Sequence, residues 1–223
     1  IENSFEAFNS VIQMGYKYIE TDLRMTLDKE VIAFHDQDLK RLFNLDLQVK
    51  DLTFNEIANL FREKNCVLLT LEDALKKFPK IHFNIDLKVK EVIQESIKVI
   101  ADLNAFDRIC FASFRSSHTE KVLQHNKNAI ISMGMKDVAL FKFFNFCNKN
   151  IKIVQIPLKW KGITVLTRNL IQKANKSNLL VHVWTINDRK TINTLIDIGV
   201  NGIVTDEPEL LMEIMKERDL VSN

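Results

Sequence analysis

Several features typical of secreted, membrane-spanning and nucleic-acid-binding proteins are missing from this sequence. The three cysteines, Cys66, Cys110 and Cys147, are odd in number and far apart, which argues against a disulfide framework and favours a reducing compartment such as the cytoplasm. No apolar run reaches the roughly 18 residues of a membrane span. The formal net charge of +2 is too small to indicate a nucleic-acid partner.

Glycine and proline are also scarce, with five and three residues, and no linker rich in them divides the chain. The 223 residues are 46% hydrophobic and 27% charged, which is typical of globular proteins. We therefore predict a single domain over residues 1–223. The chain begins with Ile1 rather than Met, which indicates a trimmed N-terminus and leaves an upstream targeting segment open.

Strand-like and helix-like segments alternate after an opening helix that Asn3 is expected to cap. Strands are predicted at residues 18–23, 31–34, 81–87, 108–114, 129–133, 153–156, 179–184 and 202–205. Helices are predicted at residues 91–103, 117–124, 167–177, 189–198 and 207–218.

This βα alternation predicts an α/β fold with a parallel sheet and outer helices. If the first two strands form one extended unit, seven units follow the opening helix. That count predicts an eight-unit TIM barrel whose first strand precedes Ile1, with an open doubly wound sheet as the alternative. Residues 37–71 are longer than an ordinary βα loop and are predicted to contain a helix that Thr53 caps.

Polar side chains follow the ends of the predicted strands. In a parallel barrel, functional residues lie at the carboxyl ends of the strands. Glu20 and Asp22 lie two residues apart on one face of the first strand, where like charges repel unless a cation lies between them. Further polar groups follow other strands: His35, Asp36, Asp86, Lys88, Trp184 and Asp206. Oxygen ligands without cysteine suit Mg²⁺ or Ca²⁺. The alternative is a salt-bridged pair, with Lys88 as the first candidate for an internal cationic partner.

The chain also resembles a known family. The segments IENSFEAF, YIETDLRMTLDKEVIAFHDQDLKR, FNIDLKVK, CFASF, VHVWTIN and GIVTDEP are similar to the glycerophosphodiester phosphodiesterase family, from Ile1 almost to the C-terminus. The family pattern contains His-Arg-Gly, Pro-Glu-Asn-Thr, Glu-x-Asp, His-Asp and Glu-x-Lys. The resemblance implies a TIM barrel that hydrolyses glycerophosphodiesters, small-molecule substrates, with a bound divalent cation.

The resemblance also implies a role for individual residues. The implied metal ligands are Glu20, Asp22 and Asp86, the implied acid–base residue is His35, and the implied substrate contacts are Lys88 for the phosphate and Trp184 for packing. Two departures stand out. The His-Arg-Gly motif, with the second histidine and an arginine, would precede Ile1, and Asp86 stands where the family usually has Glu.

Other functions stay open at this point. One is a lysophospholipase D or sphingomyelinase D-like enzyme on the same barrel, and another is a non-catalytic barrel that binds phosphate or lipid. The aromatic run of residues 139–147 is expected to pack on the barrel, with a lipid or subunit contact as the alternative. The sequence does not indicate the oligomeric state.

Overall fold

The computed structural model describes residues 1–221, and the chain divides into two compact units, Ile1–Ile130 and the part from Ile131 onward. Helices and strands alternate in both, as predicted. The first unit contains α1 (Phe5–Gln13), β1 (Tyr18–Met25), β2 (Val31–Ala33), α2 (Lys40–Phe43), α3 (Phe54–Glu63), α4 (Leu71–Lys77), β3 (His82–Leu87), α5 (Val92–Asp102), β4 (Ile109–Ala112) and α6 (Ser116–His125). A short strand, β5 (Ile130–Ile131), lies at the division.

The second unit is described in the same order. It contains α7 (Met135–Phe144), β6 (Ile153–Pro157), β7 (Lys159–Trp160), β8 (Ile163–Thr164), α8 (Arg168–Lys176), β9 (Leu180–Trp184), α9 (Arg189–Asp197), β10 (Gly202–Ile203) and α10 (Pro208–Glu217). Its main sheet has the order β10–β9–β6 with parallel pairing, and β7 and β8 form an antiparallel hairpin.

In the first unit the sheet runs in the order β2–β1–β3–β4. Strands β1, β3 and β4 are parallel, while β2 folds back antiparallel to β1. The predicted strands at 18–23 and 31–34 therefore form one hairpin and count as one unit of the alternation. Leu23, Ile85 and Phe111 are fully buried, because the parallel strands are covered on both faces. Because β1 and β3 are parallel, their carboxyl ends lie at the same end of the sheet.

The long segment after β2 packs on a hydrophobic cluster of its own, which includes Phe34, Leu39, Ile57 and Phe61. The rings of Phe34 and Phe61 meet edge to face, with centroids 6.2 Å apart. The predicted cap of α3 is confirmed: the Thr53 hydroxyl accepts from the backbone N–H of Glu56, whose carboxylate accepts from the Thr53 N–H. This packing holds the segment around His35 in place.

Two local predictions are wrong. Ser4, not Asn3, caps α1, because its hydroxyl accepts from the Ala7 N–H at 3.2 Å. The aromatic run 139–147 does not pack as a whole: Phe141 is fully buried, but the other three phenylalanines of the run are largely exposed. Among residues 1–221 there is no helix with the length and apolar character needed to cross a bilayer.

Candidate active site

The register of β1 and β3 places two carboxylates side by side near the carboxyl ends of these strands. Asp22 pairs directly with Asp86, and two residues earlier Glu20 pairs with Asn84. Both aspartates are buried, with 7% and 8% of their surfaces exposed. Two negative charges on neighbouring, buried side chains need a cation between them.

Lys88 provides that cation in the structure. Its Nζ lies 2.8 Å from Asp22 Oδ1 and 2.8 Å from Asp86 Oδ2. Burial disfavours the ammonium charge, but attraction to the two carboxylates outweighs it, so the pKa of Lys88 is raised above its ordinary value. The Phe114 ring lies on another side of the ammonium, with its centroid 6.0 Å from Nζ. We call Asp22, Asp86 and Lys88 the carboxylate–lysine cluster.

One carboxylate oxygen of this cluster has no hydrogen-bond partner within residues 1–221. Asp86 Oδ1 is buried, and no hydrogen bond reaches it from any residue that the structure describes. Burial raises the pKa of Asp86 above its ordinary value, and the contact with Lys88 offsets this only in part. A buried acceptor without a donor costs about 1–3 kcal/mol. This oxygen therefore remains available for a positively charged ligand.

Asn3 joins the cluster from the start of the chain. Its backbone is left-handed, with φ of 57°. Its side-chain amide donates to Asp22 Oδ2 at 3.4 Å, and its carbonyl oxygen accepts from the Thr21 hydroxyl at 2.7 Å. Sequence reasoning missed this role, because Asn3 was expected to cap α1. The Asn in the family's Pro-Glu-Asn-Thr motif was the signal that could have indicated it.

His35 follows β2 and is held by charged neighbours. Its Nδ1 lies 2.7 Å from Asp36 Oδ1, and half of its side chain is exposed. Arg41 donates to Asp36 Oδ2 at 2.7 Å and to both carboxylate oxygens of Glu2. Burial alone would raise the pKa of Asp36, but the bonds from His35 and Arg41 lower it below its ordinary value. Asp36 is thus an ionised acceptor that orients the imidazole.

Arg24 supports the same turn through the backbone. Its Nε and Nη2 donate to the His35 carbonyl oxygen at 3.0 and 2.9 Å. Burial lowers the pKa of Arg24 below its ordinary value, although nearby carboxylates, including Asp22 and Asp86, act to raise it. Arg24 and Arg41, which the sequence analysis did not select, therefore hold the turn that carries His35.

Glu20 and Trp184, the other two predicted site residues, are not members of the carboxylate–lysine cluster. Glu20 lies one pleat before Asp22 on β1 and is partly exposed. Trp184 ends β9 in the second unit, where its ring meets that of Trp160 edge to face at 6.4 Å. Their predicted contacts with metal and substrate stay predictions.

The implied divalent cation requires a set of oxygen ligands at this site. In residues 1–221 no three His, Cys, Asp or Glu side chains come together as a metal site. However, two buried carboxylates already share the Lys88 ammonium, and one of their oxygens lacks a donor among the described residues. Carboxylate oxygens without sulfur are the ligands that Mg²⁺ and Ca²⁺ prefer, and Mg²⁺ commonly uses only one or two carboxylates with water and phosphate oxygens. The residues fit such a cation.

Comparison with known proteins identifies the family. The model of the glycerophosphoryl diester phosphodiesterase family matches residues 1–210. The chain belongs to this family. A Mycobacterium tuberculosis protein named "Probable glycerophosphodiester phosphodiesterase 2" is 27% identical over 97% of this chain and 86% of its own length. The family's enzymes are phosphoric diester hydrolases, so this chain is a member of that enzyme class.

Two further relatives bear on fold and substrate. A phosphodiesterase from Oleispira antarctica, solved with its product sn-glycerol-3-phosphate, has a TM-score of 0.81 and 17% identity over 96% of this chain and 91% of that chain. This likeness shows the fold, the α/β TIM barrel of the family, as the sequence predicted. Human lysophospholipase D is 23% identical over 96% of this chain and 82% of its own length.

Proposed function

We propose that this family member hydrolyses glycerophosphodiesters to glycerol phosphate and an alcohol, and that the reaction depends on Mg²⁺ or Ca²⁺. The observation that carries the proposal is the carboxylate–lysine cluster at the edge of the sheet, in a chain that matches the family over residues 1–210. The product complex of the Oleispira antarctica relative supports glycerol phosphate as the product.

Asp22 and Asp86 are the proposed metal ligands, with Glu20 as the third. The buried Oδ1 of Asp86, which has no donor among the described residues, supports this assignment. When bound, such a cation neutralises charge on the phosphate oxygens. Lys88 supplies a second positive contact for the phosphate, and Trp184 packs against the substrate.

His35 is the proposed general acid. Its Nδ1 is engaged with Asp36, so Nε2, on the opposite side of the ring, is the nitrogen that faces substrate. An oxygen of water or of the glycerol 2-hydroxyl bonds to phosphorus and gives up its proton to solvent, the bond between phosphorus and the alcohol oxygen breaks, and the proton on Nε2 passes to the departing alcohol oxygen. Asp36 stabilises the positive charge that the ring carries before the transfer.

A leaving-group comparison tests the acid role in the full chain. His35→Ala should slow hydrolysis of a glycerophosphodiester with an alkyl leaving group by about 10²–10⁴-fold, the usual contribution of a general acid. A p-nitrophenyl phosphodiester should be slowed much less, because nitrophenolate leaves without a proton. His125→Ala is the matched control, since His125 is an exposed histidine of α6 in the same unit. Equal losses on both substrates would exclude the acid role.

Metal dependence needs a test with a readout other than activity. Mg²⁺ or Ca²⁺ should raise the melting temperature in a concentration-dependent way, because the cation binds only the folded chain. Asp22→Asn should abolish this shift and Glu20→Gln should weaken it, whereas the exposed Asp51→Asn should not change it. If the cation raises the melting temperature equally in the unchanged chain and in all three variants, it binds elsewhere.

Lysophospholipase D activity is the second candidate, and two observations favour it. Human lysophospholipase D is a relative, and most of the aromatic run is exposed rather than packed. Parallel assays with lysophosphatidylcholine and glycerophosphocholine separate the two activities. If neither diester is cleaved with either cation, while glycerol phosphate still binds, the non-catalytic alternative replaces both.

A further inference from the structure

The end of α7 exposes an unusual amount of aromatic surface in the second unit. Phe143, Phe144 and Phe146 are 69%, 76% and 63% exposed. Asn145 ends the helix in the left-handed conformation, with φ of 56°, so the chain turns and Phe146 projects beyond the last turn. Isolated exposed apolar residues are common, but three large rings at one helix end form a patch.

The β7–β8 hairpin lies beside this patch. Lys142 on α7 donates from Nζ to the Thr164 carbonyl oxygen of β8, so the hairpin is tied to the helix. Its residue Ile163 is 65% exposed. We call Phe143, Phe144, Phe146 and Ile163 the apolar patch.

A surface cavity of about 300 Å³ opens next to Phe143. It is lined by Lys142, Phe143, Thr167, Asn169, Leu170 and Lys173. Lys142 and Lys173 therefore both border the depression, and each donates from Nζ to a backbone carbonyl oxygen, that of Thr164 and that of Lys142 respectively. Basic side chains next to apolar surface favour a ligand that is itself both anionic and apolar.

The charge of the surrounding sequence has a single sign. Residues 138–187 contain eight Lys and Arg and no Asp or Glu, although the whole chain carries a net charge of only +2. Among these basic residues, Lys149, Lys159 and Lys161 are exposed, the last two in the hairpin. The positive charge is therefore concentrated in the segment that carries the apolar patch.

We propose that the apolar patch and the exposed Lys149, Lys159 and Lys161 dock on an anionic lipid surface. Exposed aromatic and aliphatic side chains enter the boundary between headgroups and acyl chains, while the lysines remain at the level of the phosphates. A second copy of the chain fits less well, because a symmetric contact would bring the same positive charges face to face. A nucleic acid would use the lysines and the rings, but Ile163 offers no surface for base stacking. The proposal does not depend on the proposed activity.

Sedimentation with sucrose-loaded vesicles tests the proposal on the full chain. The protein should bind vesicles of phosphatidylcholine with 30 mol% phosphatidylglycerol far more strongly than phosphatidylcholine alone, and high salt should weaken the binding. Each lysine at an anionic surface contributes about fivefold in partitioning. Lys149→Glu with Lys159→Glu should therefore reduce binding by about 25-fold or more. Lys50→Glu with Lys127→Glu changes the net charge equally on exposed positions of the first unit and should have little effect.

A second pair of variants removes apolar surface without changing charge. Phe144→Ser with Phe146→Ser should also lose vesicle binding, whereas the exposed pair Tyr18→Ser with Leu27→Ser of the first unit should retain it. Thermal melting of every variant confirms that it is folded. Equal binding to neutral and anionic vesicles, or binding to neither at low salt, would overturn the proposal. The proposal would also be wrong if the chain formed a dimer or a nucleic-acid complex that Phe144→Ser with Phe146→Ser abolished while vesicle binding persisted.

Discussion

Replacing Lys88 tests whether the carboxylate–lysine cluster is as tightly coupled as its geometry indicates. Lys88→Met keeps the apolar stem of the side chain but removes the ammonium that lies 2.8 Å from both Asp22 and Asp86. Only 15% of the Lys88 side chain is exposed, so water cannot take over its role. Removing one partner of a buried ion pair costs about 3–5 kcal/mol. For a chain of this length, that lowers the melting temperature by about 6–20 °C.

The loss of stability in Lys88→Met should depend on pH, and the pKa of Asp86 determines whether the loss grows or shrinks as the pH rises. Its pKa is already raised in the folded chain by burial, and without Lys88 it should rise further. Between the unfolded and the folded pKa, the folded chain holds a proton that the unfolded chain releases. The contribution of Asp86 to the stability is therefore greatest at acid pH and falls as the pH rises through this window. Lys88→Met should thus be more destabilising at neutral pH than at acid pH.

Melting curves in chelator, followed by titration with Mg²⁺, complete the test. A divalent cation can take the place of the ammonium, so Mg²⁺ should stabilise Lys88→Met more than the unmodified chain. Arg189→Met is the control, because Arg189 forms exposed ion pairs with Glu213 and Glu217 and its loss should barely change the melting temperature. If Lys88→Met melts like the control at every pH, the carboxylate–lysine cluster does not stabilise the fold.

Three further predictions concern the site. Asp86→Glu restores the residue usual in the family, and should keep activity or change the preferred cation if position 86 is a direct ligand; complete loss in all cations would contradict that role. Arg41→Met frees Asp36 from its second partner, so kcat should fall about tenfold or less while KM changes little, a smaller loss than His35→Ala causes. Trp184→Ala should raise KM more than it lowers kcat if the ring packs against substrate, and unchanged kinetics would remove Trp184 from the substrate site.

The alternation of elements was predictable because it depends on local periodicity. The parallel strands β1, β3 and β4 appear where buried runs end in polar residues, and the capping box at Thr53 is a local pattern. The predicted strand at 129–133 shortens to β5, Ile130–Ile131, because strand ends depend on pairing with neighbours rather than on local residues.

The carboxylate–lysine cluster was only partly predictable. Alternation along one strand places Asp86 and Lys88 on one face, and Lys88 was the named candidate for an internal cationic partner. However, the pairing of Asp22 with Asp86 joins residues 64 positions apart, and no local pattern specifies that register. The contacts of Asn3 and Arg41 are long-range for the same reason, since Asn3 bonds to Asp22 and Arg41 to Glu2.

The shared ammonium of Lys88 also has a consequence for the order in which ligands arrive. When both carboxyls are ionised, Asp22, Asp86 and Lys88 together carry one net negative charge, although a lysine is present. A phosphodiester is itself an anion, so the cluster repels it until another positive charge enters. We therefore expect compulsory ordered binding in steady-state kinetics, in which the cation must bind before the diester does. Excess diester should then lower the cation concentration needed for the half-maximal rate, because it traps the enzyme that has already bound the cation.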